Sequence, residues 1–159
     1  MKTYVLMLSR YFPAKHPRAG EPTFFREKLN GALLPDGTNW HKLHTIRANW
    51  KFWADRIYDV RNGVAELSIR QWSGKPYRSK TVEIKRLGQA DGVGVQMLRF
   101  AKDRDGMVSW NFFDIDGKYP DIKDVAFYDG LSLDDWKAWF KDYDLTKPMA
   151  VIHFTSYRY

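Results

Sequence analysis

No cysteine occurs among the 159 residues, which removes disulfide staples, thiolate zinc sites and a thiol nucleophile together. No apolar run approaches the roughly 18–20 residues needed to cross a bilayer. Phosphate-cradling loops are missing too: neither GxxxxGK[ST] nor GxGxxG is present, and Asp91-Gly-Val-Gly-Val leads into a strand pattern rather than a helix. No Gly-x-Ser-x-Gly elbow marks a serine hydrolase. Of the four histidines, His41 and His44 stand three apart, but no further ligand of matching spacing accompanies them. Neither a metal nor a cofactor is therefore expected. The opening stretch MKTYVLMLSRYF has one early lysine and a short apolar segment without a small-residue cleavage site. The expectation is a cytoplasmic chain with no signal peptide and no membrane partner.

Aromatic residues, by contrast, are abundant: 7 Trp, 9 Tyr and 10 Phe make up 16% of the chain. Hydrophobic residues at 44% and charged residues at 28% are ordinary for a folded protein. The length suits a single domain with a real core. The net charge of +7 is unevenly spread. Residues 41–86 hold eleven Lys or Arg against four acids, whereas residues 87–159 hold nine against twelve. Within the basic third, Trp40, Trp50, Phe52, Trp53, Trp72 and Tyr77 lie among Lys42, Arg47, Lys51, Arg70, Lys75 and Arg78. A solvated strand face of alternating cations would produce much of this pattern. The interleaved rings point instead to a polyanion, because flat rings stack on bases while cations meet phosphates.

Along the chain, KTYVLML (2–8) reads as a strand, and the proline-rich 12–22 as loop. Thr23 followed by FFREKLN reads as a short capped helix closed by Gly31. HKLHTIR (41–47) is a strand or strand entry leading into the helical NWKFWADRIYDV, where Trp50, Trp53 and Ile57 share a core face. VAELSIRQW alternates, with Ala65, Leu67 and Ile69 on one side; a hairpin connection at Gly74-Lys75-Pro76 returns it as KTVEIKRL. VGVQMLRF is a further strand, and residues 101–120 form a polar Gly/Asp-rich insertion with an apolar island, VSWNFF. Ser132, with Asp135 three residues on, starts the clearest helix. Its Trp136, Trp139, Phe140 and Tyr143 recur at helical spacing, a core stripe. AVIHFTSYRY closes as a strand. These elements predict one α+β domain spanning 1–159, built around a mixed or antiparallel barrel with short peripheral helices.

In an extended segment Lys42, His44 and Ile46 face one way and Leu43, Thr45 and Arg47 the other. A turn at its start would bring Lys42 and Thr45 together. A strand edge with solvated cations is the plain reading. The pattern Lys-x-x-Thr-Ile-Arg, following a short helix and a glycine, also resembles the signature of the ASCH domain family in the PUA-like superfamily of small β-barrels. GVAELSIRQWSGKPYRSK is similar to the family's barrel hairpin, and Asp129-Gly-Leu-Ser-Leu-Asp-Asp-Trp to the approach to its late helix. The likeness covers most of residues 24–159. Insertions near 12–22, 32–40 and 101–120 make this a large member, and the second separates Gly31 from Lys42, which the family pattern keeps nearly adjacent.

The resemblance implies a PUA-like barrel that recognises RNA or a modified nucleoside or nucleotide in a cleft beside the sheet. It also implies an alternative, an amidohydrolase acting on N4-acetylcytidine-like substrates, whose lysine and threonine match Lys42 and Thr45. The family's glutamate falls at Asp129, one methylene shorter. A desolvated lysine can serve as nucleophile or base, a hydroxyl can orient it or stabilise an oxyanion, and a carboxylate can shuttle the proton. Arg47 would bind a phosphate or pair with the acid. Expected ligand contacts are Trp40, Lys42, His44, Thr45, Arg47, Trp50, Arg70, Lys75, Tyr77 and Arg78. A protein-interaction module with a basic face is the remaining alternative.

Overall fold

The computed structural model describes residues 1–159. Two sheets and the helices packed on them share one core of buried aliphatic and aromatic side chains. The first has the order β1 (Lys2–Met7), β3 (Ala65–Trp72), β4 (Thr81–Leu87). β1 runs parallel to β3, from Lys2 opposite Ala65 to Met7 opposite Arg70. β3 and β4 are antiparallel, and the register slips at Ile69/Arg70. The second sheet is antiparallel, with the order β2 (His44–Arg47), β7 (Met149–His153), β5 (Gly94–Lys102), β6 (Val108–Ile115). Four helices complete the chain: α1 (Phe25–Leu29), α2 (Trp50–Arg61), α3 (Ile122–Tyr128) and α4 (Leu133–Phe140). No helix is long and apolar enough to cross a membrane.

The mixed α+β class and the 65–72/81–87 pairing match the sequence reading, but the sheets do not close into a barrel. The seam between β1 and β2 shows why. The edge carbonyl of Met7 is taken by the Arg47 guanidinium, not by a backbone amide of β2. β1 and β2 thus stay in separate sheets, and residues following β1 and within β2 line a pocket between them.

Residues 101–120 are not loop throughout. β5 and β6 form a hairpin whose turn is tied by the Asp103 carboxylate, which accepts from the amides of Asp105 and Met107 at 2.9 Å each. The apolar island becomes strand because Phe100 packs on Trp110 and Phe113 against the core. A helix absent from the sequence reading, α3, begins where the Asp121 side chain accepts from the Lys123 amide at 2.9 Å. Ser132 caps α4 by accepting from the Asp135 amide at 3.2 Å. Trp136 and Phe140 are buried as expected, whereas Tyr143 lies beyond the helix end and is partly exposed.

Candidate functional site at the sheet seam

Lys42 precedes β2 in a segment fixed by backbone bonds to three separate elements. Its amide donates to the Lys28 carbonyl of α1 at 3.0 Å, and the Leu43 amide to Tyr128 of α3 at 2.8 Å. The Leu43 carbonyl accepts from Phe154 at 2.9 Å. This threading breaks the strand alternation and turns Lys42 to the same pocket as Thr45 and Arg47. Asp129 arrives from the end of α3, its amide bonded to the Val125 and Ala126 carbonyls. Gly130 follows at φ +88°, and an added Cβ there would press on Lys42 Cδ and on the Phe25 ring at 3.3 Å. Glycine is needed here for both backbone and packing.

The four residues line one pocket of about 130 Å³, walled by Phe25, Trp139, Phe140 and Tyr143. Lys42 is 2% exposed and Asp129 4%. Lys42 Nζ donates to Asp129 Oδ1 at 3.0 Å and to the Asp129 carbonyl at 2.5 Å, and lies 4.4 Å from the Phe25 ring centroid. Trp136 Nε1 donates to Asp129 Oδ2 at 3.1 Å. Burial pushes the lysine down from its ordinary pKa, opposed by Asp129 and assisted by Arg47. Burial likewise pushes Asp129 up, opposed by Lys42, Arg47 and the Trp136 indole. Each partner is displaced toward its neutral form, so a proton can pass across the 3.0 Å contact more readily than between the same groups in water. The Thr45 hydroxyl lines the pocket without a protein hydrogen-bond partner.

His44 does not line this pocket. It is fully buried behind it, enclosed by His153 and Tyr159, whose rings lie 5.5 and 5.6 Å from its own. Its ring faces the Tyr159 hydroxyl through Nε2 at 2.6 Å, and its partnerless Nδ1 lies 3.8 Å from Asp129 Oδ1. Burial holds it neutral, well below its ordinary pKa. His153, bonded to Gln96 at 2.9 Å, is pushed by the same cause to about 3.

The remaining expected contacts fall elsewhere. Trp40 stacks on Phe127 at 4.9 Å and lies under the Lys28 ammonium at 4.5 Å, outside the Lys42 pocket. Trp50 lines a separate groove beside Tyr143. Arg70 is spent on structure, donating to the Thr81 hydroxyl at 2.8 Å and the Thr81 carbonyl at 3.2 Å. Lys75, Tyr77 and Arg78 sit on the exposed β3–β4 connection, where Tyr77 borders a groove next to the pocket.

Sequence reading missed Trp136, whose helical spacing marked it as core alone, and Lys28. Phe25 and Lys28, three apart on α1, are both buried, and Lys28 Nζ donates to the Gly130 carbonyl at 2.6 Å. Burial, with Lys42 nearby, lowers its pKa to about 8. No group of three His, Asp or Glu side chains converges to hold a metal ion. Compared with known family models, curated proteins and solved structures, the chain matches none.

Proposed function

We propose that this chain is an ASCH-like, PUA-like module of the cytoplasm that recognises a modified base, as nucleoside, nucleotide or RNA, in the Lys42 pocket. The observation that carries the reading is convergence: Lys42, Thr45 and Arg47 share one small pocket with Asp129, 82 residues beyond Arg47 in the chain. Four solvated polar residues have no reason to meet. A pocket of about 130 Å³ with aromatic walls and a polar floor suits one planar heterocycle, held by stacking and by edge hydrogen bonds. The unbonded Thr45 hydroxyl is free to donate or accept at such an edge.

Calorimetric titration with N4-acetylcytidine and cytidine tests the reading. Binding of either that weakens about tenfold in Thr45→Val supports it. Neither compound binding, with no response to single-stranded RNA, would overturn it.

Amide hydrolysis is the second reading, favoured by the buried Lys42–Asp129 pair. Once Lys42 has passed a proton to Asp129, its neutral amine takes a proton from the water that attacks the acyl carbonyl, or attacks that carbonyl itself ahead of the water. The C–N bond to N4 then breaks, N4 leaves with a proton from Lys42 or Asp129, and acetate and cytidine are released. The Thr45 hydroxyl orients the lysine or stabilises the oxyanion. Lys42→Ala should then abolish release of acetate from N4-acetylcytidine. Lys42→Arg should be equally inactive, since a guanidinium stays protonated. Asp129→Glu should retain turnover if one methylene of reach is tolerated. Wild-type protein that binds the nucleoside without releasing acetate leaves binding alone.

A further inference from the structure

We propose that the pocket continues into a second subsite for the adjoining nucleotide, so that the ligand is a base carried in single-stranded RNA rather than a free nucleoside. This rests on the function proposed above and names its substrate class. The pocket is not isolated: Leu8, Ser9 and Arg47 line both it and a neighbouring groove of about 540 Å³. The pocket has room for one base, and the groove for considerably more. The far wall is formed by Trp72 and Tyr77, with ring centroids 5.1 Å apart.

Charge separates this groove from the others. Its lining includes Arg10 and Arg47 and no carboxylate. The grooves around Phe24, Leu34 and Trp50 contain Glu27, Asp36 and Asp144 respectively. Lys75 and Arg78 flank Tyr77, are exposed, and form no ion pair, unlike Arg86 with Glu66 and Arg99 with Asp114. Cations without carboxylates beside two rings tilted by 51° to each other match phosphates beside bases. An acidic peptide would engage the cations but has no use for the rings or for a base-sized pocket.

The wall is also built to hold its shape. Ser73 donates twice to the Lys80 carbonyl, through its amide at 2.9 Å and its hydroxyl at 2.7 Å. The Ser79 hydroxyl accepts from the Gly74 amide at 3.0 Å and donates to the Lys75 carbonyl at 2.9 Å. Arg10 ties the loop to the end of β1 by donating to the Ser73 carbonyl at 2.9 Å. Within this frame Tyr77 adopts a left-handed backbone, φ 64°, while its side chain stands 90% exposed. Its contact with Trp72 leaves most of the ring in water, so core packing gives no reason for a tyrosine in this backbone conformation, whereas a base stacking on the ring does.

Calorimetry with two probes tests the subsite: N4-acetylcytidine, and a single-stranded RNA octamer carrying one N4-acetylcytidine. The octamer should bind the wild type at least tenfold more tightly than the nucleoside. Tyr77→Ala should remove most of that advantage and leave nucleoside affinity unchanged. Its ring contributes almost nothing to the core, so this variant folds whether or not Trp72→Ala does. Equal affinity for the two probes, or an octamer affinity insensitive to Tyr77→Ala, would overturn the subsite and leave the pocket standing. Displacement of the octamer by a polyglutamate peptide at equal concentration would overturn the choice of RNA. A protein that binds neither probe overturns the subsite and the proposed function together.

Discussion

Two regions of the molecule carry cations, and they treat them in opposite ways. At the seam, Lys42 is enclosed with Asp129, and both oxygens of the carboxylate are engaged within the protein. On the β3–β4 connection, Lys75 and Arg78 stand in water with no carboxylate partner. The same unit charge therefore has two uses. Enclosed beside an acid, it shifts the pKa values of both partners toward their neutral forms. Exposed and unpaired, it can neutralise a phosphate and release counterions condensed on a polyanion. The two regions meet through Arg47, which lines both cavities and whose guanidinium bridges the sheet edges at Met7.

The largest stability effect is expected at Asp129. Removing its side chain leaves Lys42 enclosed with only the Asp129 carbonyl, and strips the Trp136 indole of its acceptor. Asp129→Ala should cost about 3–5 kcal/mol, the range for removing one partner of a buried pair. Chemical denaturation measures it. Lys42→Met combined with Asp129→Leu should restore most of the loss, because apolar side chains carry no desolvation penalty. A single variant within about 1 kcal/mol of wild type would show that the pair is hydrated and the pocket floor open.

How much of this was legible differs between the two regions for a physical reason. Lys42, Thr45 and Arg47 lie within six residues, but their side-chain types alone read as a solvated strand edge, and their site roles came through family resemblance. Asp129 was reached through family resemblance, since no periodicity links it to residue 42. Trp136 was hidden because one helical spacing serves both the core stripe and the carboxylate it bonds, and a pattern of apolar positions cannot tell which edge of an indole is wanted. His44 read as a ligand contact, but its ring is taken by Tyr159 and His153 behind the pocket, partners more than 100 residues away that leave no local pattern. On the exposed side, composition correctly marked residues 70–78 as cationic and aromatic without separating Arg70, held by Thr81, from Lys75 and Arg78. Barrel closure was beyond reach, since which strand edges meet depends on contacts such as Arg47 to Met7 that leave no period in the chain. The β5–β6 hairpin was masked by its polar turn, Asp103 to Gly106.

The histidines behind the seam sharpen the buried side. His153, pushed to about 3, and His44, held well below its ordinary value, stay neutral in the folded chain while their unfolded counterparts take up protons below about pH 6.5. The unfolded state then binds more protons, so stability is complete above that pH and declines as pH falls. Each histidine costs about 1.4 kcal/mol per pH unit. Between pH 6.5 and 5, replacing His153 by Gln should reduce the loss by about 2 kcal/mol. Denaturation midpoints across that range give the comparison, and an unaltered profile would mean that His153 is protonated or solvated in the native state.

The smallest stability effect belongs to the exposed side, and there a contrast within one hairpin is decisive. Lys75→Ala and Arg78→Ala should each change stability by less than about 0.5 kcal/mol, since neither touches a charged partner and surface changes of this kind fall within that range. Each should nevertheless lower the salt slope of single-stranded RNA binding by about 0.7 if it meets one phosphate. Arg70→Ala should behave in reverse. Its guanidinium is committed to Thr81 and lies 3.9 Å from Glu83, so it should cost about 1 kcal/mol in stability and leave the slope unchanged. Affinity measured between 50 and 200 mM salt, alongside thermal melts, separates the two kinds of arginine. If Arg70→Ala flattens the slope as much as Arg78→Ala does, the partnered and free cations are electrostatically equivalent, and basic charge alone, rather than its placement beside Tyr77, accounts for RNA binding.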